Sequence, residues 1–408
     1  MQISQRVQET VLNSGKNSMF VYDLQVMNSK MDLLSCLSEQ VHTYYAMKAN
    51  PNHLVIKNAL EHPNITWIEV ASLGEMEKVL NAWWTLEKVI YTWPSKTEQE
   101  LEFWVKNNIH YLNVESWKEL LLVDELAKKY NKKQKVLIRL NTKHKFEEWE
   151  AWVTLWSGDT QFGFPQVGIE NMFPFFSKLK NIEIDGFHMY PASWVISADA
   201  LLKSVESAFK FVNDIEEKTW IKFKTIDFWW GFGVDYEGNK EFDIEKYANW
   251  LKELIKKYNM EEKELILELW RYIAADMWYF VTKVNDIKTL QSWAKAVLCY
   301  AWTNAHKRPQ VLKVDYKLWV IKNPNPWTED LYKKANELWL TIDKVSKKDT
   351  FNVYGPFCTS VDKIAEWKTG YDVEIGDYIV QLQAGAYWKT MSPKDFLSHP
   401  EVPEIIIK

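Results

Sequence analysis

From Phe20 to Arg271 the chain alternates between two kinds of pattern. Short apolar runs recur at 44–49 (YYAMKA), 67–72 (WIEVAS), 89–94 (VIYTWP), 110–115 (HYLNVE), 136–141 (VLIRLN), 186–191 (GFHMYP), 225–230 (TIDFWW) and 265–270 (LILELW). Between most of them lie longer stretches in which apolar residues return at helical spacing with Lys and Glu on the other face. Examples are 97–108 (TEQELEFWVKNN), 117–130 (WKELLLVDELAKKY) and 243–258 (DIEKYANWLKELIKKY). Strand–helix alternation implies parallel pairing, and eight such runs predict an α/β fold, a (β/α)8 TIM-like barrel. An open doubly wound sheet is the alternative.

After about Asp276 the texture changes. The runs 278–290, 295–301, 311–321, 350–357 and 376–387 read as strands separated by turns, without long helices between them. They predict a second, mainly β C-terminal domain. The expected division is a barrel over 20–275 and a β-rich domain formed by 1–19 with 276–408, with no low-complexity linker.

Composition narrows the function. At 408 residues, 47% hydrophobic and 26% charged, the chain has the make-up of a globular protein. A formal charge of −5 without a basic block argues against nucleic acid, and no uncharged run reaches membrane-spanning length. Cys36, Cys299 and Cys358 form no CxxC pair and no even framework, which fits a reducing cytoplasm. One balance is unusual: there are 23 Trp and only 13 Gly. Glycine ordinarily makes up about 7% of a chain, and tryptophan exceeds its normal share by about what glycine lacks.

In a barrel of this kind the reactive groups stand where strands end. Those positions hold Lys48, Ser72, Arg139, His188 with Ser193 beyond, the loop 229–233, and Glu268 with Arg271. The loops after strands seven and eight commonly bind phosphate, and Arg271 beside the loop can fork two oxygens. A lysine in the apolar run YYAMKA is costly unless paired or neutral. It reads as a strand-end lysine with its ammonium in water, or as an amine freed for imine formation. Lysine plus phosphate site points to pyridoxal phosphate.

At this point the chain resembles a known family, the fold-type III pyridoxal-phosphate decarboxylases that act on ornithine, arginine and diaminopimelate. The stretches that carry the likeness are YYAMKANPN, IEVASLGE, VIYTWPSK, GFHMYPAS, IDFWWGFGVDY, LELWRYIAADMWYFVTKV, YGPFCTSVD and GDYIVQLQAGAY, in the family's order along nearly the whole chain. The resemblance implies that Lys48 holds the cofactor, that His188 stacks on its ring, and that Glu268 hydrogen-bonds its pyridine nitrogen. It implies phosphate contacts from Ser193, Gly231, Gly233, Arg271 and Tyr387, with the loop positions Trp229 and Trp230 in the same cradle. Glu69 and Arg139 fall where the family has further contacts near the cofactor, or form a structural ion pair. Cys358 is similar to the cysteine that reaches into a second subunit's site and returns a proton to the substrate carbon, so a homodimer with shared sites is expected. The implied activity is decarboxylation of an α-amino acid, either diaminopimelate or ornithine in type or linked to a carrier protein. Racemisation on the same barrel and a non-catalytic homologue are the alternatives. Thr359 follows Cys358 where family members specific for basic or dicarboxylic substrates carry Asp or Glu, which puts the grip on a distal amine in doubt.

The tryptophans fall on the family's glycines. Its strand-seven loop reads Gly-Gly-Gly-Phe-Gly where this chain has Trp229-Trp230-Gly231-Phe232-Gly233, and Trp270, Trp93, Trp278 and Trp388 stand at other such positions. Trp67, Trp117 and Trp302 are further candidates. An exchange in one direction, from no side chain to the largest, suggests a codon read as glycine in the source cell and as tryptophan here. On that reading Trp229, Trp230 and Trp270 crowd the phosphate pocket.

Overall fold

The computed structural model describes residues 3–82, 85–142, 151–153, 160–190, 193–228, 231–237, 240–305, 314 and 316–408, with the side chains of 151–153, 193 and 326 excepted. Contacts between Cα atoms divide the chain into two units, 28–235 with 240–273, and 1–27 with 236–239 and 274–408.

The first unit is the barrel. Its strands are β1 (Val41–Ala46), β2 (Trp67–Val70), β3 (Val89–Tyr91), β4 (Tyr111–Val114), β5 (Gln134–Asn141), β6 (Ile182–Met189), β7 (Thr225–Phe228) and β8 (Glu264–Leu269). Each pairs in parallel with its chain neighbour, except that β1 also pairs with β8 (Leu267 opposite Thr43). That last pairing closes the sheet and excludes the open alternative. All eight strands fall within or overlap the apolar runs read from the sequence. Several helices between them start at side-chain caps. Thr97 and Glu100 form a reciprocal capping box, and Ser72, Ser116 and Ser197 each accept a backbone N–H of the first turn.

Side chains fill the barrel in layers. Near the strand starts, Tyr44, Ile90, Tyr111, Leu137 and Ile266 pack together. The Tyr111 hydroxyl lies 2.6 Å from Asp185 and 3.1 Å from Glu264, whereas the Tyr44 hydroxyl is buried without a partner. The opposite layer, near the strand ends, is polar and forms the site described below.

The second unit is built on a mixed eight-stranded sheet. Its central path runs through 318–321, 378–381, 278–289, 295–299, 351–354 and 363–368, and Ser18–Asp23 joins 278–289 on one side and Glu404–Ile407 on the other. Helix Gln5–Asn13, capped by Ser4, buries Val7 and Val11 against Met19, Val281 and Val380. Two features depart from the expected strand-and-turn pattern. Pro326–Glu337 is a helix of three turns, and the fully buried run Ser18–Asp23 is a strand of this sheet.

Candidate active site

Strand register decides which side chains meet. Arg139 on β5 is opposite His188 on β6, and His188 is opposite Asp227 on β7. With Glu69 on β2 and Glu268 on β8, these charged or titratable side chains are buried to 2% exposure or less. Such burial demands partners or neutralisation.

Lys48 lies on a single 3-10 turn, Met47–Ala49, that ends β1. Its ammonium reaches Glu69 Oε2 at 2.5 Å, and the Trp270 ring centroid is 5.6 Å away. Burial pushes the Glu69 carboxyl up, and the Lys48 charge opposes that shift. Around the far wall, His188 Nε2 stands 4.0 Å from Asp227 Oδ2. Burial pulls the His188 imidazole well below its ordinary value, helped by the charges of Arg139 and Lys48, so the ring is neutral at pH 7. Burial, and then mutual repulsion with Asp227 and Glu69, pushes Glu268 well above the carboxylate range. Asp227 is also raised, first by burial and then by the charges of Glu69 and Glu264, while hydrogen bonds from Asn113 and with Glu268 oppose the shift. Its Oδ1 and Glu268 Oε2 are buried without a hydrogen-bond partner.

A second buried cluster supports this wall. Lys96 donates to Glu119 at 2.9 Å and stands 3.8 Å from Glu115, which lies 3.7 Å from the Arg139 guanidinium. Glu75, in the first turn of the helix after β2, accepts the Ala71 N–H, and burial and Glu69 push it up to about 7. Sequence reading missed Asp227, Glu115, Lys96 and Glu75. For Asp227 a signal existed: it alternates with Ile226 and Phe228, which points it to the same face as the inward residues of β7.

The remaining expected residues are placed as follows. Gly233 donates its N–H to Val195 O at 2.8 Å, and a Cβ there would lie 2.7 Å from the Val195 carbonyl carbon, so only glycine allows this approach. Ser193 lies in a short strand, 193–195, and its side chain is outside the described residues, as are Trp229 and Trp230. Arg271 opens a helical turn after β8, with its guanidinium 4.8 Å from the Trp194 ring centroid. Tyr387 and Cys358 belong to the other unit. There Cys358 is an exposed free thiol on a loop tied by buried Asp362, which accepts the N–H groups of Phe357 and Thr303 at 2.7 and 3.0 Å. Among the described residues no helix is long and apolar enough to cross a membrane.

Comparison with known proteins gives this arrangement its context. Residues 24–275 match the family described as pyridoxal-dependent decarboxylase, pyridoxal binding domain. The chain is 30% identical over 390 residues to the 2-[(L-alanin-3-ylcarbamoyl)methyl]-2-hydroxybutanedioate decarboxylase of Staphylococcus aureus, covering 95% of this chain and 93% of that one. It is 26% identical to the L-glutamyl-[BtrI acyl-carrier protein] decarboxylase of Niallia circulans, covering 92% and 84%. Its fold superposes on the crystal structure of diaminopimelate decarboxylase from Helicobacter pylori complexed with L-lysine with a TM-score of 0.81, at 21% identity over 98% and 94% of the two chains. The chain belongs to the fold-type III pyridoxal-phosphate-dependent amino-acid decarboxylases.

The residues present fit one end of that cofactor and not the other. At the ring end, the unpartnered Glu268 Oε2 would accept from a protonated pyridine nitrogen, whose charge would favour the ionised carboxyl. At the phosphate end, the Trp270 indole lies against Gly231, so that a Cβ on that glycine would be 2.9 Å from the ring. Trp194 covers the Arg271 guanidinium. Where the resemblance places the phosphate, indoles therefore stand against Gly231 and Arg271.

Proposed function

We propose that this chain decarboxylates an α-amino acid carrying a modified or carboxylated distal end, in a homodimer whose sites are shared between subunits. Decarboxylation of an amino acid with pyridoxal phosphate is the family's reaction, and the cofactor supplies the electron sink for it. In this reading Lys48 is the cofactor-holding amine, kept in place by Glu69. Glu268, backed by Asp227, would accept from the ring nitrogen, and neutral His188 would lie beside the ring without adding a charge. Cys358, on its tethered loop, returns a proton to the substrate carbon in the site of a second copy.

The observation that carries the substrate reading is Thr359. An acid after the cysteine would grip a distal ammonium, whereas threonine offers only a hydroxyl, which suits a carbonyl, amide or carboxylate. The substrates named for the Staphylococcus aureus and Niallia circulans relatives are of that kind. Protein isolated from its source cells and supplied with pyridoxal phosphate should release CO2 from a carboxylated alanine conjugate or a carrier-linked glutamyl group. Faster release from diaminopimelate or ornithine would overturn the substrate reading.

A further inference from the structure

Five tryptophans have a backbone conformation that tryptophan rarely adopts. Among the described residues Trp194, Trp220, Trp293, Trp339 and Trp367 have φ of 67°, 61°, 63°, 57° and 52°. In this left-handed region a Cβ crowds the following carbonyl, so glycine is favoured, with asparagine the usual substitute. None of the five is among the positions that the family resemblance marked.

Four of them stand in a local motif that asks for glycine, whereas Trp194 is buried with its indole N–H donating to Val234 O. Trp220 ends the helix Ala198–Thr219, where its N–H returns to Glu216 O, and it is 91% exposed. Trp339 follows the helix Pro326–Glu337. There the N–H of Leu340 bonds Ala335 O, the six-to-one closure of a Schellman cap, and the indole is 95% exposed. The same closure ends three other helices, with Asn108, Asn131 and Asn259 at the left-handed position. At these helix ends the left-handed position is held by asparagine except where it is tryptophan, while Ser95, Gln383, Ala386, Tyr387, Leu397 and Ser398 have positive φ elsewhere. Trp293 is the left-handed residue of the tight turn between strands 278–289 and 295–299, closed by Leu290 N–H to Ala294 O. Trp367 sits where the register of strands 351–354 and 363–368 slips, as in a bulge that requires glycine.

At the four exposed positions packing does not repay the strain. Trp220, Trp293, Trp339 and Trp367 all project largely into water. Inside the protein, Trp278 buries an indole N–H without an acceptor. At the candidate site, Trp270 stands against Gly231 and Trp194 against Arg271.

We infer that the native polypeptide carries glycine at 194, 220, 293, 339 and 367, and at 270, and that these codons are read as tryptophan only in this translation. One cause accounts for surface turns, helix ends and the anion cradle together: a UGA codon that the source cell decodes as glycine. The five backbone positions stand independently of the proposed substrate and of any cofactor. Position 270 rests on the family reading.

The first test is peptide mass spectrometry of the protein from its source cells. Glycine is expected at 220, 293, 339 and 367, and tryptophan there would overturn the inference, as would UGG codons at those sites. The second test compares recombinant proteins. Replacing the four exposed tryptophans by glycine should raise the melting temperature more than replacing them by alanine, because alanine removes the indole but keeps the Cβ. Equal gains, or a loss with glycine, would refute the backbone argument. Trp270→Gly together with Trp194→Gly should increase the visible absorbance that added pyridoxal phosphate gains on binding at least tenfold at low cofactor. Unchanged binding would refute the assignment at the site while leaving the surface result to stand on its own readout.

Discussion

The paired acids Asp227 and Glu268 make the cofactor-free protein's stability depend on pH in a direction opposite to ordinary carboxylates, and Asp227→Asn should expose this. One oxygen of each lies within 4.8 Å of the other. Two full charges 4.8 Å apart would repel by about 3.5 kcal/mol at an effective dielectric constant near 20. Both folded-state values are raised, mainly by burial. Unfolded Asp and Glu titrate near 4, so between pH ~4 and the raised folded values the native state holds protons that the unfolded chain has released. The pair's contribution to stability is then fully present below pH ~4 and is lost as pH rises, by up to about 1.4 kcal/mol per unit per proton. Asparagine has no proton to retain, and its amide can donate to Glu268. The variant should match the parent near pH 4 and exceed it by about 2–3 kcal/mol at pH 8, or about 5–10 °C in melting temperature for a unit of this size. Thermal unfolding of both proteins without cofactor, from pH 4.5 to 8.5, measures the difference. A difference that does not change with pH, or a variant less stable at pH 8, would refute the reasoning.

Other outcomes follow from the same geometry. Lys48→Ala should abolish the visible absorbance of protein loaded with pyridoxal phosphate, and an unchanged spectrum would remove Lys48 from its assigned role. Mixing inactive Lys48→Ala chains with inactive Cys358→Ala chains should restore activity to at most about a quarter of the parent per site, as sites shared in a dimer require; no recovery in exchanged dimers excludes sharing. Glu75, pushed up to about 7 by burial and by Glu69, should titrate near neutrality by carbon NMR in the cofactor-free protein. In Glu69→Gln its midpoint should fall, and a midpoint that stays put would show that Glu69 does not act on it.

Much of this protein was legible in the order of its residues. Short apolar runs and period-3.6 patterns are local, so the eight barrel strands and the intervening helices could be located from the chain alone. Lys48, Arg139, His188 and Glu268 stood out because a charged or titratable group in an apolar strand needs a reason. Other features depend on contacts remote in sequence. Ser18–Asp23 became a strand of the second sheet because residues 278–282 and 404–407 pair with it, and no local pattern announces that. The raised pKa values of Asp227 and Glu268 come mainly from burial, which exists only once β7 and β8 lie side by side. The tryptophans divide in the same way. Their excess over glycine is written in the composition, but which of them stand at left-handed positions is a property of the folded backbone, fixed by helix ends, turns and a slipped register.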